Sequence, residues 1–115
     1  ITIIPIRTRD DFDRICNHPF APAGALPFVA ESLRGIHSIL DEELRDDPSL
    51  ERPTVLGFIG CPFTLCTYLL EGRTGTVDNF AATCQMMDTN PELVRDLLDL
   101  LVDRLADYAT YQVQQ

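Results

Sequence analysis

The side chains whose types could do chemistry concentrate between Gly60 and Gly75. Thr64, Thr67 and Tyr68 bring three hydroxyls within five residues, and Gly72-Arg73-Thr74-Gly75 joins an arginine to glycines. Hydroxyls so placed can bind a polar substrate, and they can equally cap a helix or satisfy backbone groups. Glycine exposes backbone donors and arginine is a bidentate partner for carboxylates, so the glycine-arginine loop reads either as an anion-binding loop or as a connector. Three other constellations carry less. Asp96, Asp99, Asp103 and Asp107 could lend oxygens to a divalent cation, but they lie opposite a leucine stripe, as the solvated face of a helix does. Cys16-Asn17-His18 places a thiol near an imidazole, half of a zinc site, and no second pair completes it. His37 stands alone beside Ile36. Neither a metal nor a cofactor is expected.

Composition removes several kinds of function. The 115 residues carry a net charge of −9, and every one of the nine basic residues is arginine. The field of such a chain repels phosphate backbones and anionic lipid headgroups, so nucleic acid is not an expected partner. Without a lysine there is neither a Schiff-base amine nor a P-loop lysine. Cys16, Cys61, Cys66 and Cys84 show no Cys-x-x-Cys spacing, and two of them sit in the most apolar stretch, which fits a reducing compartment. A start at Ile1 and an end at Gln115 without a helix stop signal suggest processing or fragmentation, and no signal peptide is visible.

The elements that must position these residues follow from spacing. Ile1–Ile6 is a β-branched run interrupted by Pro5, hence an edge or connector. Thr8-Arg9-Asp10-Asp11 reads as a capping box opening a short helix with Phe12, Ile15 and Cys16 on one side, ended by Asn17-His18-Pro19. Pro27 opens a second helix, in which Val29, Leu33, Ile36, Leu40 and Leu44 line one face until Asp46-Asp47-Pro48. Pro53 to Leu70 lacks charge over 18 residues, yet Gly57, Gly60 and Pro62 in its middle argue against a membrane span. The stretch divides instead into a buried parallel strand, Thr54–Ile59, a turn at Gly60-Cys61-Pro62, and a helix to Glu71 stopped by Gly72. A further helix, from about Val77 to Met87, presents Val77, Phe80, Cys84 and Met87 on one face. Asn90-Pro91-Glu92 starts a last helix of about 25 residues with Leu93, Leu97, Leu101, Leu105 and Tyr108 along its stripe.

Leu26-Pro27-Phe28-Val29-Ala30-Glu31-Ser32-Leu33-Arg34 and the run from Val55 to Gly72 together resemble uroporphyrinogen decarboxylase, particularly its plant and algal forms. The second run carries a specific pattern: Gly57-Phe58, Gly60, Pro62-Phe63-Thr64-Leu65, Tyr68 and Glu71-Gly72. Pro5-Ile6-Arg7-Thr8 and Asn90-Pro91-Glu92-Leu93-Val94 stand in the family's order around it. The likeness spans nearly the whole chain but about a third of a family member. It implies an α/β fold: residues 1–115 as one segment of a partial (β/α)8 TIM barrel, mostly helical with one buried strand. It also implies a cofactor-free lyase, usually a homodimer, that removes acetate carboxyls from the tetrapyrrole uroporphyrinogen to give coproporphyrinogen in haem and chlorophyll synthesis.

The tyrosine that the family uses in its substrate cleft corresponds to Tyr68. Tyr68 is the one functional side chain that the resemblance carries over; Thr67, Gly72 and Arg73 beside it are expected to bind substrate from their own chemistry, a hydroxyl and a glycine-arginine anion-binding loop. The family's arginine-rich motif and pyrrole-facing aspartate fall before Ile1, and its cleft serine and histidine fall after Gln115. Cys61 replaces the usual alanine, and the loop after Gly72 reads about two residues longer than the family's. Two functions follow as expectations. One is uroporphyrinogen decarboxylation within an intact barrel. The other is a non-catalytic, decarboxylase-derived subunit covered by a protein partner in a larger assembly. The expected compartment is the plastid (chloroplast) or the cytoplasm.

Overall fold

A computed structural model describes residues 3–74 and 78–115. Six α-helices follow in order: α1 (Arg9–Cys16), α2 (Pro22–Ala25), α3 (Pro27–Asp46), α4 (Pro62–Glu71), α5 (Ala81–Thr89) and α6 (Pro91–Val113), with one 3-10 turn at Asp78–Phe80 before α5. The residues cluster into two compact units, one of residues 1–19 and 60–105, the other of residues 20–59 and 106–115.

In the first unit, local signals set the helix ends. The Thr8 hydroxyl accepts from the Asp11 backbone N–H and the Asp11 carboxylate accepts from the Thr8 backbone N–H, a reciprocal cap that satisfies donors the first turn of α1 leaves open. Pro62 occupies the first turn of α4, where its missing N–H costs nothing, and Gly72 ends that helix in the left-handed region (φ 77). The Asn90 side chain accepts from the Leu93 N–H at 3.3 Å and starts α6. The buried faces of these helices meet around Leu70, Leu93, Leu97 and Cys66, all fully buried, with Ile6, Phe12, Met86 and Val94 completing the core. Each leucine of this kind contributes about 1.5–3 kcal/mol through burial. The Ile6 N–H donates to the Leu69 carbonyl at 2.9 Å, so the start of the chain is a connector seated on α4, as Pro5 requires. Arg104 of α6 donates to the carbonyls of Cys16 and His18 at the end of α1, where a cation complements the helix dipole.

The second unit holds α2, α3 and the last turns of α6. The expected stripe of α3 is half-buried at Val29, Leu33, Leu40 and Leu44, while Ile36 is exposed; Ala30 is the residue that α3 buries fully. Arg52 donates to the Asp41 carboxylate and lies 3.2 Å from His37 Nδ1, which ties the polar loop after α3 back onto that helix. The Tyr111 hydroxyl donates to the Leu26 carbonyl at 3.4 Å.

The expected α/β architecture is overturned. Among the described residues there is no β-strand, hence no sheet and no partial TIM barrel, and Thr54–Ile59 is irregular and largely exposed, Leu56 to 84% and Phe58 to 82%. A parallel strand buried on both faces needs neighbouring strands on both edges and helices over both faces. Neither neighbour is present among the described residues, so an apolar run that would suit an interior strand has no strand beside it. α5 differs from expectation as well. Its buried residues are Thr83 and Met86, whereas Cys84 and Met87 are exposed, and Val77 lies outside the described residues. Asn79 and Phe80 both adopt left-handed backbone (φ 52 and 57), which re-aims the helix that follows. Among the described residues no helix is long and apolar enough to cross a membrane.

Candidate functional site

α4 and α5 pack together, and between them opens a groove of about 330 Å³. Phe63, Thr64, Thr67 and Tyr68 of α4 form one wall; Phe80, Thr83, Cys84 and Met87 form the other, together with Asn79. Phe80, Cys84 and Met87, the described members of the face that periodicity assigned to α5, therefore share a face, but it is the wall of an open groove and not the core. The groove combines aromatic and thioether walls with a few hydroxyls, the mixture typical of small-molecule sites.

The position of α5 depends on Glu71, at the end of α4. Phe80 precedes α5 and offers no capping oxygen. The Glu71 Oε1 instead accepts from both the Thr83 backbone N–H and the Thr83 hydroxyl, each at 2.8 Å. One carboxylate thus satisfies an open donor in the first turn of α5 from outside the helix. Partial burial pushes the Glu71 carboxyl up, but the two Thr83 hydrogen bonds, with Arg7 and Arg73 nearby, outweigh it and hold the carboxyl below its ordinary value. Arg7 also donates to the carbonyls of Ile6 and Leu70, satisfying an acceptor in the last turn of α4.

The four residues expected to bind substrate divide into two pairs. Thr67 and Tyr68 both line the groove. Thr67 is buried and its hydroxyl donates to the Thr64 carbonyl at 2.7 Å, so its donor is used within the helix. Gly72 and Arg73 are not among the lining residues: Gly72 is the left-handed cap of α4, and Arg73 is exposed just beyond it. Gly75 of the same loop lies outside the described residues. Local sequence signals missed the Glu71–Thr83 pair, because it joins residues twelve apart through tertiary packing. A threonine on the buried face of α5 was the only trace of it.

The weaker constellations resolve simply. Asp96 of the acidic run pairs with Arg9 at 2.5 Å, and among the described residues no group of three or more histidine, cysteine or acidic side chains is placed to hold a metal. His18 Nδ1 lies 3.0 Å from the Pro19 carbonyl, and the Cys16 thiol is exposed. Burial pushes the Cys66 thiol up to about 11, while Cys16, Cys61 and Cys84 are exposed. Since the thiolate is the reactive form, iodoacetamide at mildly alkaline pH should label those three at least about a hundredfold faster than Cys66, which should react only on unfolding. Peptide mapping by mass spectrometry reads this directly.

The motif around Tyr68, which lies on the α4 wall of the groove, is the stretch that carries the family resemblance, and the comparisons identify the family. The uroporphyrinogen decarboxylase family model matches residues 2–115, and the chain belongs to that family. Among curated proteins it is 36% identical to uroporphyrinogen decarboxylase of Nostoc punctiforme over 109 residues, covering 95% of this chain and 27% of that protein. It is 34% identical to the enzyme of that name from Picosynechococcus over 110 residues, with 96% and 28% covered. With that of Prochlorococcus marinus it shares 35% over 109 residues, with 95% and 27% covered. The chain thus spans little more than a quarter of the length of the relatives it matches. No solved structure matches it.

Proposed function

We propose that this chain supplies the Tyr68 wall of a uroporphyrinogen-decarboxylating site, acting together with the groups that the rest of a family member provides. The observation that supports this reading is the placement of Tyr68: the tyrosine of the family pattern is half-buried in a groove with apolar walls, beside the Thr64 and Thr67 side chains. A groove of about 330 Å³ has room for a pyrrole with its acetate arm, not for a whole macrocycle. In this reading the apolar walls receive the pyrrole face and Tyr68 hydrogen-bonds the arm. Arg73, beyond the Gly72 cap, supplies a cation for a carboxylate in a molecule otherwise dominated by negative charge. Thr67 and Gly72 serve this arrangement by shape, the one closing the groove floor and the other turning the chain toward Arg73. Loss of carbon dioxide leaves an electron pair that the protonated pyrrole must accept, and the protein stabilises that change with fixed hydrogen bonds and charges. The compartment in this reading is the plastid or the cytoplasm.

A chimera tests the reading. Residues 2–115 replace the matching stretch of the Nostoc punctiforme enzyme, and decarboxylation is measured with and without Tyr68→Phe. Loss of one hydroxyl hydrogen bond should lower kcat/KM about tenfold. Equal turnover by both chimeras would remove Tyr68 from the site. The purified 115-residue polypeptide alone should show no turnover.

A further inference from the structure

Among the described residues, Asn79 and Phe80 are the two non-glycine residues with left-handed backbone (φ 52 and 57), and both line the groove that holds Tyr68. An asparagine tolerates that region because its side chain is short and polar, whereas a bulky phenylalanine is strained there by its own Cβ. Glycine would turn the chain at no steric cost. Strain of this kind clusters at sites that bind or react. Here the turn sets the Asn79 and Phe80 side chains on the groove wall just ahead of α5.

The lining decides what that wall can meet. Its nine residues include no acid and no base, although the chain carries 18 acids, so a carboxylate entering the groove meets no like charge there. Such a groove holds an anion through neutral donors, and two of its hydroxyls are already used. Thr67 donates to the Thr64 carbonyl, and Thr83 donates to Glu71. The Cys84 thiol is a weak donor, and Phe80 and Met87 have none in their side chains. The strong neutral donor on the wall facing α4 is the Asn79 NH2 group.

We propose that Asn79 is a substrate-binding residue that sets specificity for an anionic arm: its side-chain amide donates to the carboxylate of the pyrrole arm from the wall opposite Tyr68, while Phe80 lies against the ring. This rests on the reading of the groove as the place of a pyrrole and its acetate. A carboxylate held from two sides, by a phenol and an amide, makes charge-assisted hydrogen bonds with both. A methyl arm, which is what loss of carbon dioxide leaves, makes neither, so the groove favours substrate over product.

The chimera described above carries one test, with Asn79→Asp, Asn79→Gly and Tyr68→Phe compared in it. Aspartate has the shape of asparagine and tolerates the left-handed turn, so a residue that only turns the chain would lose nothing by the change. With one carboxylate facing another, KM should rise at least about tenfold. Asn79→Gly relaxes the turn and removes the donor; KM should rise about three- to tenfold while kcat stays within about twofold and the urea midpoint does not fall. An unchanged KM in both Asn79 variants overturns the proposal. If Tyr68→Phe lowers turnover and the Asn79 variants do not differ from the parent, Asn79 alone is removed from the site. If the Asn79 variants raise KM and Tyr68→Phe changes nothing, the Tyr68 reading fails and the Asn79 contact stands. A second test needs no turnover: pyrrole-3-acetate is titrated into the isotope-labelled 115-residue chain and followed by NMR. The Asn79 side-chain NH2 resonances should move saturably, and 3-methylpyrrole, which lacks the carboxylate, should leave them in place. Resonances that stay still with pyrrole-3-acetate, or that move equally with both compounds, overturn the proposal.

Discussion

Leu97→Ala should lower the stability of this chain by about 2–5 kcal/mol, the range for truncating a fully buried leucine. Leu97 is completely inaccessible and lies in the core with Leu70, Leu93 and Cys66, so the cavity left behind cannot be filled by solvent-facing groups. Domains of this size have only about 5–15 kcal/mol in hand, and the loss should be visible as a large drop in the urea midpoint followed by circular dichroism. Val102→Ala on the same helix gives the control. Val102 is 51% exposed, and its truncation should change stability by no more than about 0.5 kcal/mol. Similar losses from both changes would mean that α6 does not face the core as described.

The second large effect belongs to Thr83. Thr83→Val keeps the shape of a buried side chain and removes the hydroxyl that Glu71 accepts, so it should cost about 1.5–3 kcal/mol, the range for hydrogen bonds to charged groups. The cost should depend on pH in a definite direction. Glu71 is held below its ordinary value of 4.5 in the folded chain, so its contribution is fully present above that value. It is lost as pH falls through the still lower folded value. Urea midpoints for the wild type and the variant should differ widely at neutral pH and converge in acid. A gap that persists in acid would show that the carboxylate is not the acceptor. The same loss of grip should loosen α5 and with it the Phe80, Cys84 and Met87 wall of the groove.

What the sequence disclosed, and what it withheld, follows from the range of the interactions involved. The Thr8 and Asp11 cap, Pro27, Pro62, Gly72 and Asn90-Pro91 act within a few residues of themselves, and the helices they bound lie where those residues predict. α2 escaped notice because four residues with proline, glycine and alanine resemble a loop. The Thr54–Ile59 run failed as a strand for a different reason. Hydrophobicity reports which environment a segment would suit, not whether neighbouring strands are there to provide it. At the candidate site, Tyr68 stands out through the family pattern and Thr67 through its hydroxyl, and both line one groove. The pairing of Glu71 with Thr83 was not, since no local rule connects the end of one helix to the first turn of another.

Gly72 meets two demands at once. Its backbone is left-handed, and a Cβ there would come within 3.2 Å of the Pro5 ring. Any side chain would both strain the turn and push apart the seam between the opening connector and α4. The position at Gly72 is therefore fixed by backbone geometry as well as by space. Gly72→Ala should lower stability through both effects, a left-handed backbone no Cβ favours and a clash with Pro5, and a urea midpoint unchanged from the wild type would show that neither constraint operates.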